Sequence, residues 1–306
     1  MSIEVQSVSK SFGLQKALDE VSFSISGGEV VGFLGPNGAG KTTMMKILTC
    51  FMPPGSGRAS VLGFDVMEQS MEVRKRIGYL PETNPLYPEM YVREYLGFVA
   101  GIHKLDNHRQ RIEAVIGLTG LGKEQHKKIG ALSKGYRQRT GLAQVLLHDP
   151  EVLILDEPTS GLDPNQLLEI RNLISAVGRE KTVMLSTHIM QEVEAVCDRV
   201  IIIDRGKIVA DAATSELGRM SFNRQVILLE LDQEVQADQL SAIPGISRVE
   251  ALGDMKWKLE SGTPADIRPE LFAFAVSNGL TILSLSREAH SLEEVFRRLT
   301  GNTPAD

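Results

Sequence analysis

The sequence predicts an α/β fold with parallel central strands, a helical subdomain set into it, and a small α+β domain behind it. Three observations carry this expectation. Residues 30–34, 152–155, 183–186 and 200–203 are short runs, apolar or nearly so throughout. Such runs suit strands buried on both faces, as in a parallel sheet covered by helices. The stretch 81–150 interrupts that strand rhythm, reads as helical and carries the turn pairs Asn84-Pro85 and Tyr87-Pro88. Beyond about Phe222 the pattern becomes strand, helix, strand, strand, helix, strand, the order of a ferredoxin-like domain.

Taken in order, residues 3–8 and 21–25 alternate apolar with polar and predict an antiparallel N-terminal portion. The run 30–34 ends in a glycine-rich turn, and residues 42–52 follow with helical spacing. Asp204-Arg205-Gly206-Lys207 reads as a hairpin-like turn between apolar runs. In the last third, strands are expected at 226–231, 247–251, 256–260 and 280–286, with helices at 236–243, 264–278 and 291–299. The domain boundary falls between 219 and 220, giving a first domain of residues 1–219 and a second of 220–306. There is no internal repeat and no low-complexity tract.

Length and composition agree with two domains. A chain of 306 residues exceeds one ordinary domain. Its 42% apolar and 24% charged residues are those of a globular protein rather than a disordered one. The net charge of −6 argues against a general nucleic-acid binder, so no nucleic-acid partner is expected. Cys50 and Cys197 lie far apart with no ligand cluster beside them, as buried thiols of a reducing compartment would. No stretch reaches the ~18 apolar residues that cross a bilayer. Met1-Ser2-Ile3-Glu4 lacks the basic and apolar regions of a secretion signal. A cytoplasmic location follows as the expectation, with any membrane association made through a partner.

Gly35-Pro36-Asn37-Gly38-Ala39-Gly40-Lys41-Thr42-Thr43 fits the phosphate-loop pattern G-x-x-x-x-G-K-[ST], and it lies between an apolar strand and an amphipathic helix as that loop requires. Its glycines let backbone N–H groups curl round phosphates, and the helix N-terminus adds positive partial charge. Lys41 is placed to contact the β- and γ-phosphates, and the Thr42 hydroxyl to bind Mg2+. The fold class is therefore a P-loop NTPase. The run 152–155 ends in Asp156-Glu157, two acids at the C-terminal edge of a buried strand, where such sheets bind ligands. Asp156 can hold Mg2+ through a water. Glu157 can face the γ-phosphate and polarise the attacking water as general base. Such an acid pair alone is more often a solvated turn; the phosphate loop favours the functional reading.

With these motifs in place, the chain resembles the nucleotide-binding subunits of ABC transporters over residues 3–212, and the remaining motifs follow that family's order. Leu132-Ser133-Lys134-Gly135-Tyr136-Arg137-Gln138-Arg139 is similar to its signature sequence, Ser160-Gly161-Leu162-Asp163 to its D-loop, and Ser186-Thr187-His188 to its switch histidine. The resemblance implies an ABC-type nucleotide-binding domain that binds ATP with Mg2+ and pairs with a second ATP-binding subunit, in a homodimer in the simplest case. It also implies an integral membrane permease as partner and a peripheral position on the inner face of the cell membrane. Ser133 and Gly135 would contact the γ-phosphate held by the other subunit, Asp163 would sit at the seam, and Phe12 would stack on adenine. Each has a plainer reading: Ser133 as a helix cap, Phe12 as a core aromatic, His188 as a structural histidine. His188 follows the run 183–186, so it reaches the sheet edge near the γ-phosphate.

Two departures stand out. Glu82, in Ile77-Gly78-Tyr79-Leu80-Pro81-Glu82, replaces the family's Q-loop glutamine. A carboxylate binds Mg2+ well but repels phosphate and donates no hydrogen bond, so Glu82 is expected at the metal or its water. Lys134 and Tyr136 stand in the signature where glycine and glutamine are commoner. Together with the C-terminal domain ending in Ser291-Leu292-Glu293-Glu294-Val295-Phe296, these variants resemble the ATPase subunits of ABC-2-type exporters, whose members serve drug, polysaccharide and gliding-motility systems. Pro81-Glu82-Thr83-Asn84-Pro85-Leu86-Tyr87 is most similar to the gliding-motility-associated group.

Four of the five tyrosines lie between Tyr79 and Tyr95. Tyr91, Tyr95 and Phe98 are spaced to share one helix face, either as subdomain core or as a groove for a cytosolic helix of the membrane subunit. ABC-type ATPases that never meet a membrane remain an alternative. A single ATPase domain and the lack of sustained heptads stand against the translation and repair types. A partner energising a membrane enzyme or motility machine also stays open.

Overall fold

The computed structural model describes residues 1–216, 226–262, 266–288, 296 and 300. They form two compact units, Met1–Thr214 and Ser215–Asp306.

In the first unit, β1 (Ile3–Phe12) and β2 (Gln15–Ile25) pair as a long antiparallel hairpin. The alternation that marks residues 3–8 continues past a register shift between Val5 and Val8, where Ser7 takes a φ of 47° and Val8 restores the buried face. The chain then forms β3 (Val30–Leu34), α1 (Lys41–Leu48), β4 (Ser56–Val61), β5 (Phe64–Asp65), α2 (Ser70–Arg76) and β6 (Ile77–Leu80). β4 joins the free side of β1, completing an antiparallel sheet in the order β2-β1-β4-β5. Neither β4 nor β5 was evident in the sequence: β4 is half exposed and largely polar, and β5 has only two residues.

The helical subdomain follows as α3 (Val92–Ile102), α4 (His108–Leu118) and α5 (Lys134–Leu146). Tyr91 departs from expectation. It is the N-cap of α3, outside the helix, so it does not share a helical face with Tyr95 and Phe98. The cause is local: Tyr91 bridges Lys128, and the N–H groups of Val92 and Arg93 bond Lys127 O and Gln125 O. Tyr95 is buried, with its hydroxyl 2.7 Å from Gln144 Oε1. Tyr87 packs against it edge-on at 5.8 Å and lies 5.7 Å from Phe98. Tyr87 and Phe98 are exposed, so the cluster has one ring inside and two on a rim.

After the subdomain come β7 (Val152–Asp156), α6 (Pro164–Gly178), β8 (Thr182–Thr187), α7 (Met190–Val196), β9 (Arg199–Asp204) and β10 (Lys207–Ala213). The central sheet runs β10-β9-β3-β8-β7-β6, parallel except for β10, which forms the expected hairpin with β9. Every residue of β3, β7 and β8 is buried, which is why these strands read as apolar or nearly apolar runs. Their register fixes the site: Leu34 pairs with Thr187 and Asp156 with Ser186. The phosphate loop, Glu157 and His188 therefore leave the sheet side by side at one edge.

The second unit contains β11 (Val226–Leu231), α8 (Ala237–Ser241), β12 (Ile246–Gly253), β13 (Lys256–Ser261), α9 (Arg268–Ser277) and β14 (Ile282–Glu288). Its sheet is antiparallel throughout, in the order β12-β13-β11-β14. Ile227, Leu229, Leu231, Trp257 and Leu259 from the strands pack against Leu240, Ile243, Ile267 and Leu271. This is the ferredoxin-like arrangement expected. The helix expected at 291–299, all but Phe296, and the expected boundary at 219/220 lie outside the described residues. Among the described residues no helix is long and apolar enough to cross a membrane.

Candidate functional site

The sheet edge opens into a cleft of about 510 Å³. Of the residues singled out from sequence, it brings together Phe12, Pro36, Asn37, Gly38, Gly40, Lys41, Thr42, Thr43, Glu82, Glu157, Ser160 of the D-loop motif and His188, and it adds Gln15 and Ala17. Phe12, at the tip of β1, is 51% exposed and is not a core aromatic. Gly35 and Ala39, also of the loop, are buried and do not line the cleft.

The loop's shape depends on glycine. Gly40 has a φ of 112°, and a Cβ there would lie 2.5 Å from Ala17 O; a Cβ on Gly35 would lie 2.3 Å from Ile203 O. Gly40 is also the N-cap of α1 and offers no capping side chain, so the N–H groups of the first helical turn remain available to an anion. Lys41 folds back over the loop, 6% exposed, and its Nζ donates to Gly35 O at 2.7 Å. The same Nζ lies 3.5 Å from Glu157 Oε1.

Glu157 occupies the left-handed region at φ 47°, rare for a side chain of this size. Its N–H donates to Ser186 Oγ at 2.9 Å, and its carbonyl accepts from Ser160 N at 3.1 Å. Ser186 Oγ in turn donates to Asp156 Oδ1 at 2.5 Å. Asp156 is 1% exposed, and its Oδ2 is buried without a hydrogen-bond partner. A bare buried carboxylate oxygen is costly, and a hard cation or a cation's water is the chemistry that satisfies it. Asp156 and Thr42 line a neighbouring groove of about 470 Å³ with Glu82, which places three oxygen-bearing side chains around one region. Burial, with the Asp156 charge nearby, pushes the Tyr79 hydroxyl in that groove well above the usual phenol range. His188 Nδ1 lies 3.0 Å from Glu157 Oε2.

Ser133, Gly135 and Asp163 are not brought to this cleft. Ser133 is the N-cap of α5, and its Oγ accepts from Tyr136 N at 3.4 Å. Asp163 is the N-cap of α6, and its Oδ1 accepts from the N–H groups of Asn165 and Gln166. The two helix starts interlock. A Cβ on Gly135 would lie 2.4 Å from Gln166, and the Lys134 ammonium covers Gly161. One turn on, Gln138 Nε2 donates to Pro158 O at 2.8 Å and Arg139 forms an ion pair with Glu169.

Sequence reasoning assigned no role to Ser186 or Gln138. Both act through the fold: Ser186 by its register opposite Asp156, Gln138 by a contact across twenty residues. Both cysteines are free thiols, Cys197 buried and Cys50 only partly so.

Comparison with known proteins extends this picture. Residues 18–160 match the ABC transporter family model, and residues 219–300 match a model described as the ATP-binding protein DrrA1-3-like C-terminal domain. The chain is 34% identical to the bacitracin transport ATP-binding protein BcrA of Bacillus licheniformis, over 98% of this chain and 97% of that one. It is 35% identical to the Nod factor export ATP-binding protein I of Burkholderia lata, over 99% and 98%. It is 31% identical to the linearmycin resistance ATP-binding protein LnrL of Bacillus subtilis, over 99% and 100%. Among solved structures, the ATP-binding subunit of an ABC transporter superposes with a TM-score of 0.66 at 28% identity, covering 72% of this chain and 93% of that one.

Proposed function

This chain belongs to the family of ABC transporter ATP-binding subunits, and from that premise we propose how its residues bind and hydrolyse ATP to power an ABC-2-type exporter. The observation that carries the reading is the cleft itself, where the phosphate loop, Glu157 and His188 meet at one sheet edge.

The loop N–H groups and Lys41 hold the phosphates, and Phe12 stacks on the adenine. Thr42 and Asp156 hold Mg2+, with Glu82 at the metal or its water; the bare Oδ2 of Asp156 supports this assignment. When bound, Mg2+ supplies charge to offset that developing on the transferred phosphoryl group. Glu157 takes the proton of the attacking water on a carboxylate oxygen. His188 orients that carboxylate and faces the γ-phosphate.

Ser133, Gly135 and Asp163 serve a second subunit. They line no part of their own chain's cleft, which is what a surface that completes another copy's site requires. Two copies then close over two ATP molecules, and hydrolysis releases them, because only the closed state contacts each nucleotide from both sides. A membrane permease docks on the rim formed by Tyr87 and Phe98, which holds the protein on the inner, cytoplasmic face of the membrane. The three relatives are named for bacitracin transport, Nod factor export and linearmycin resistance, and the gliding-motility branch rests on the run 81–87 alone.

ATP turnover by the purified full chain tests this reading. Turnover is expected to need Mg2+, and Glu157→Gln is expected to lower kcat by about 10²-fold or more while ATP still binds. Turnover by Glu157→Gln at the wild-type rate would overturn it.

A further inference from the structure

Glu192, on α7, is a buried acid at this site with no part in the steps above. It is 3% exposed. Its Oε1 accepts from Thr159 Oγ1, and its Oε2 accepts from Thr187 Oγ1 at 2.5 Å. Thr187 Oγ1 also accepts the Ile189 N–H at 3.0 Å, so the one hydroxyl accepts from the backbone while it donates to Glu192. Thr159 lies two residues after Glu157, and Thr187 immediately precedes His188.

The placement answers a need of the fold. β7 and β8 are locked together by their ladder only as far as Asp156 and Ser186. Beyond it the two loops that carry Glu157 and His188 have no backbone pairing to set their separation. Glu157 also sits at φ 47°, a conformation that persists only where its surroundings over-determine it. A carboxylate accepts at both oxygens and donates at neither, so it fixes the spacing and direction of both threonine hydroxyls at once.

We propose that Glu192 is a positioning residue for ATP hydrolysis, a side-chain rung that ties the turn after Glu157 to Thr187, the last residue of β8 before His188. The proposal rests on the reading of Glu157 as general base. Glu192 touches no reacting atom. It holds Glu157 and His188 at the separation observed, and its loss lets the base drift from the attacking water while the phosphate loop still binds nucleotide.

The test is steady-state ATP turnover by the full-length chain carrying Glu192→Gln, Thr159→Val, Thr159→Ser, Thr187→Val or Thr187→Ser. Glu192→Gln and both valine variants are expected to lose about tenfold or more in kcat with KM for ATP within about twofold of wild type. Both serine variants, which keep the hydroxyl, are expected to stay within about threefold of the wild-type rate. In a Glu157→Gln background, Glu192→Gln should cost nothing further, because the two act as a unit. The proposal is overturned by serine variants as slow as the valine ones, by an undiminished Glu192→Gln loss in the Glu157→Gln background, or by a change in KM alone. If Glu192→Gln does not fold, the valine and serine pairs decide by the same comparison. An active Glu157→Gln enzyme would remove the base itself, and is distinguished because it is read without any change at Glu192.

Discussion

The His188 imidazole straddles the Glu157 carboxylate, with Nδ1 3.0 Å from Oε2 and 3.2 Å from Oε1. Lys41 Nζ stands 3.5 Å from the same carboxylate. The carboxylate proposed as the base is thus held between the Lys41 ammonium and the ring that follows β8. Both contacts follow from the register of β3, β7 and β8, since Glu157 and His188 directly follow β7 and β8 and the loop that ends at Lys41 follows β3.

If the ring orients the base, His188→Ala lowers kcat by about tenfold or more and leaves ATP affinity within about twofold. Single-turnover rates set beside equilibrium nucleotide binding separate the two effects. Equal losses in both would assign His188 to binding.

Lys41 is expected to serve binding and stability together. Lys41→Ala is expected to abolish measurable ATP binding at concentrations that saturate the wild type. It also strips a cation from a carboxylate that is 8% exposed, and breaking such a pair costs about 3 kcal/mol. A fall in the urea midpoint of the nucleotide-free protein checks this second outcome.

Glu82 is exposed and lines the cleft together with the adjoining groove. Glu82→Gln should raise the Mg2+ concentration for half-maximal turnover by about tenfold. An unchanged Mg2+ titration removes Glu82 from the metal.

A stacked histidine pair makes the first unit sensitive to acid. His103 and His148 lie 4.1 Å apart between ring centroids, 9° from parallel. His148 Nε2 is 2.9 Å from Ile77 O, a donor's position, and Nδ1 is buried without a partner. Burial first, then the His103 charge, hold His148 down at about 4, although the Ile77 carbonyl and Asp149 favour its charged form and Arg111 opposes it. The unfolded chain takes this proton near 6.5, before the folded one does. Stability is therefore complete above about pH 6.5 and falls as pH drops toward 4, by up to about 3 kcal/mol. Urea unfolding at pH 7.5 and pH 5 should show this loss, and His148→Phe should flatten it.

Tyr87 tests the proposed docking of a membrane partner. Its ring is exposed and leans on buried Tyr95, so Tyr87→Glu adds charge to the rim without opening the core. Transport in the assembled complex should fall while basal hydrolysis by the isolated subunit is kept. A loss of ATP binding would mean that the rim reaches the nucleotide cleft.

What could be read from the sequence was whatever depends on local order. The phosphate loop declares itself by glycine spacing between a strand and a helix, and β3, β7 and β8 by apolar or nearly apolar runs. Asp156 and Glu157 follow only in company with the phosphate loop, since two acids at a strand end are by themselves more often a solvated turn. What could not be read depends on contacts between distant segments. Tyr91 fits the helical spacing of Tyr95 and Phe98, yet pairing with Lys128 pulls it out of the helix. β4 shows no apolar alternation because only Ala59 and Val61 on it are buried. Glu192 belongs to none of the motifs read from the sequence, and only the fold brings it to Thr159, thirty-three residues away. The interlock of Lys134 with Gly161 and of Gly135 with Gln166 is likewise invisible until α5 and α6 are placed.

The most direct test of the central claim is recovery of partners by tagged Glu157→Gln protein from solubilised membranes in the presence of Mg2+ and ATP, which hold the closed dimer. Co-purification of a polytopic membrane protein together with a second ATP-binding subunit is the result predicted. Recovery of soluble partners, ribosomes or DNA alone, with no membrane protein, would contradict it.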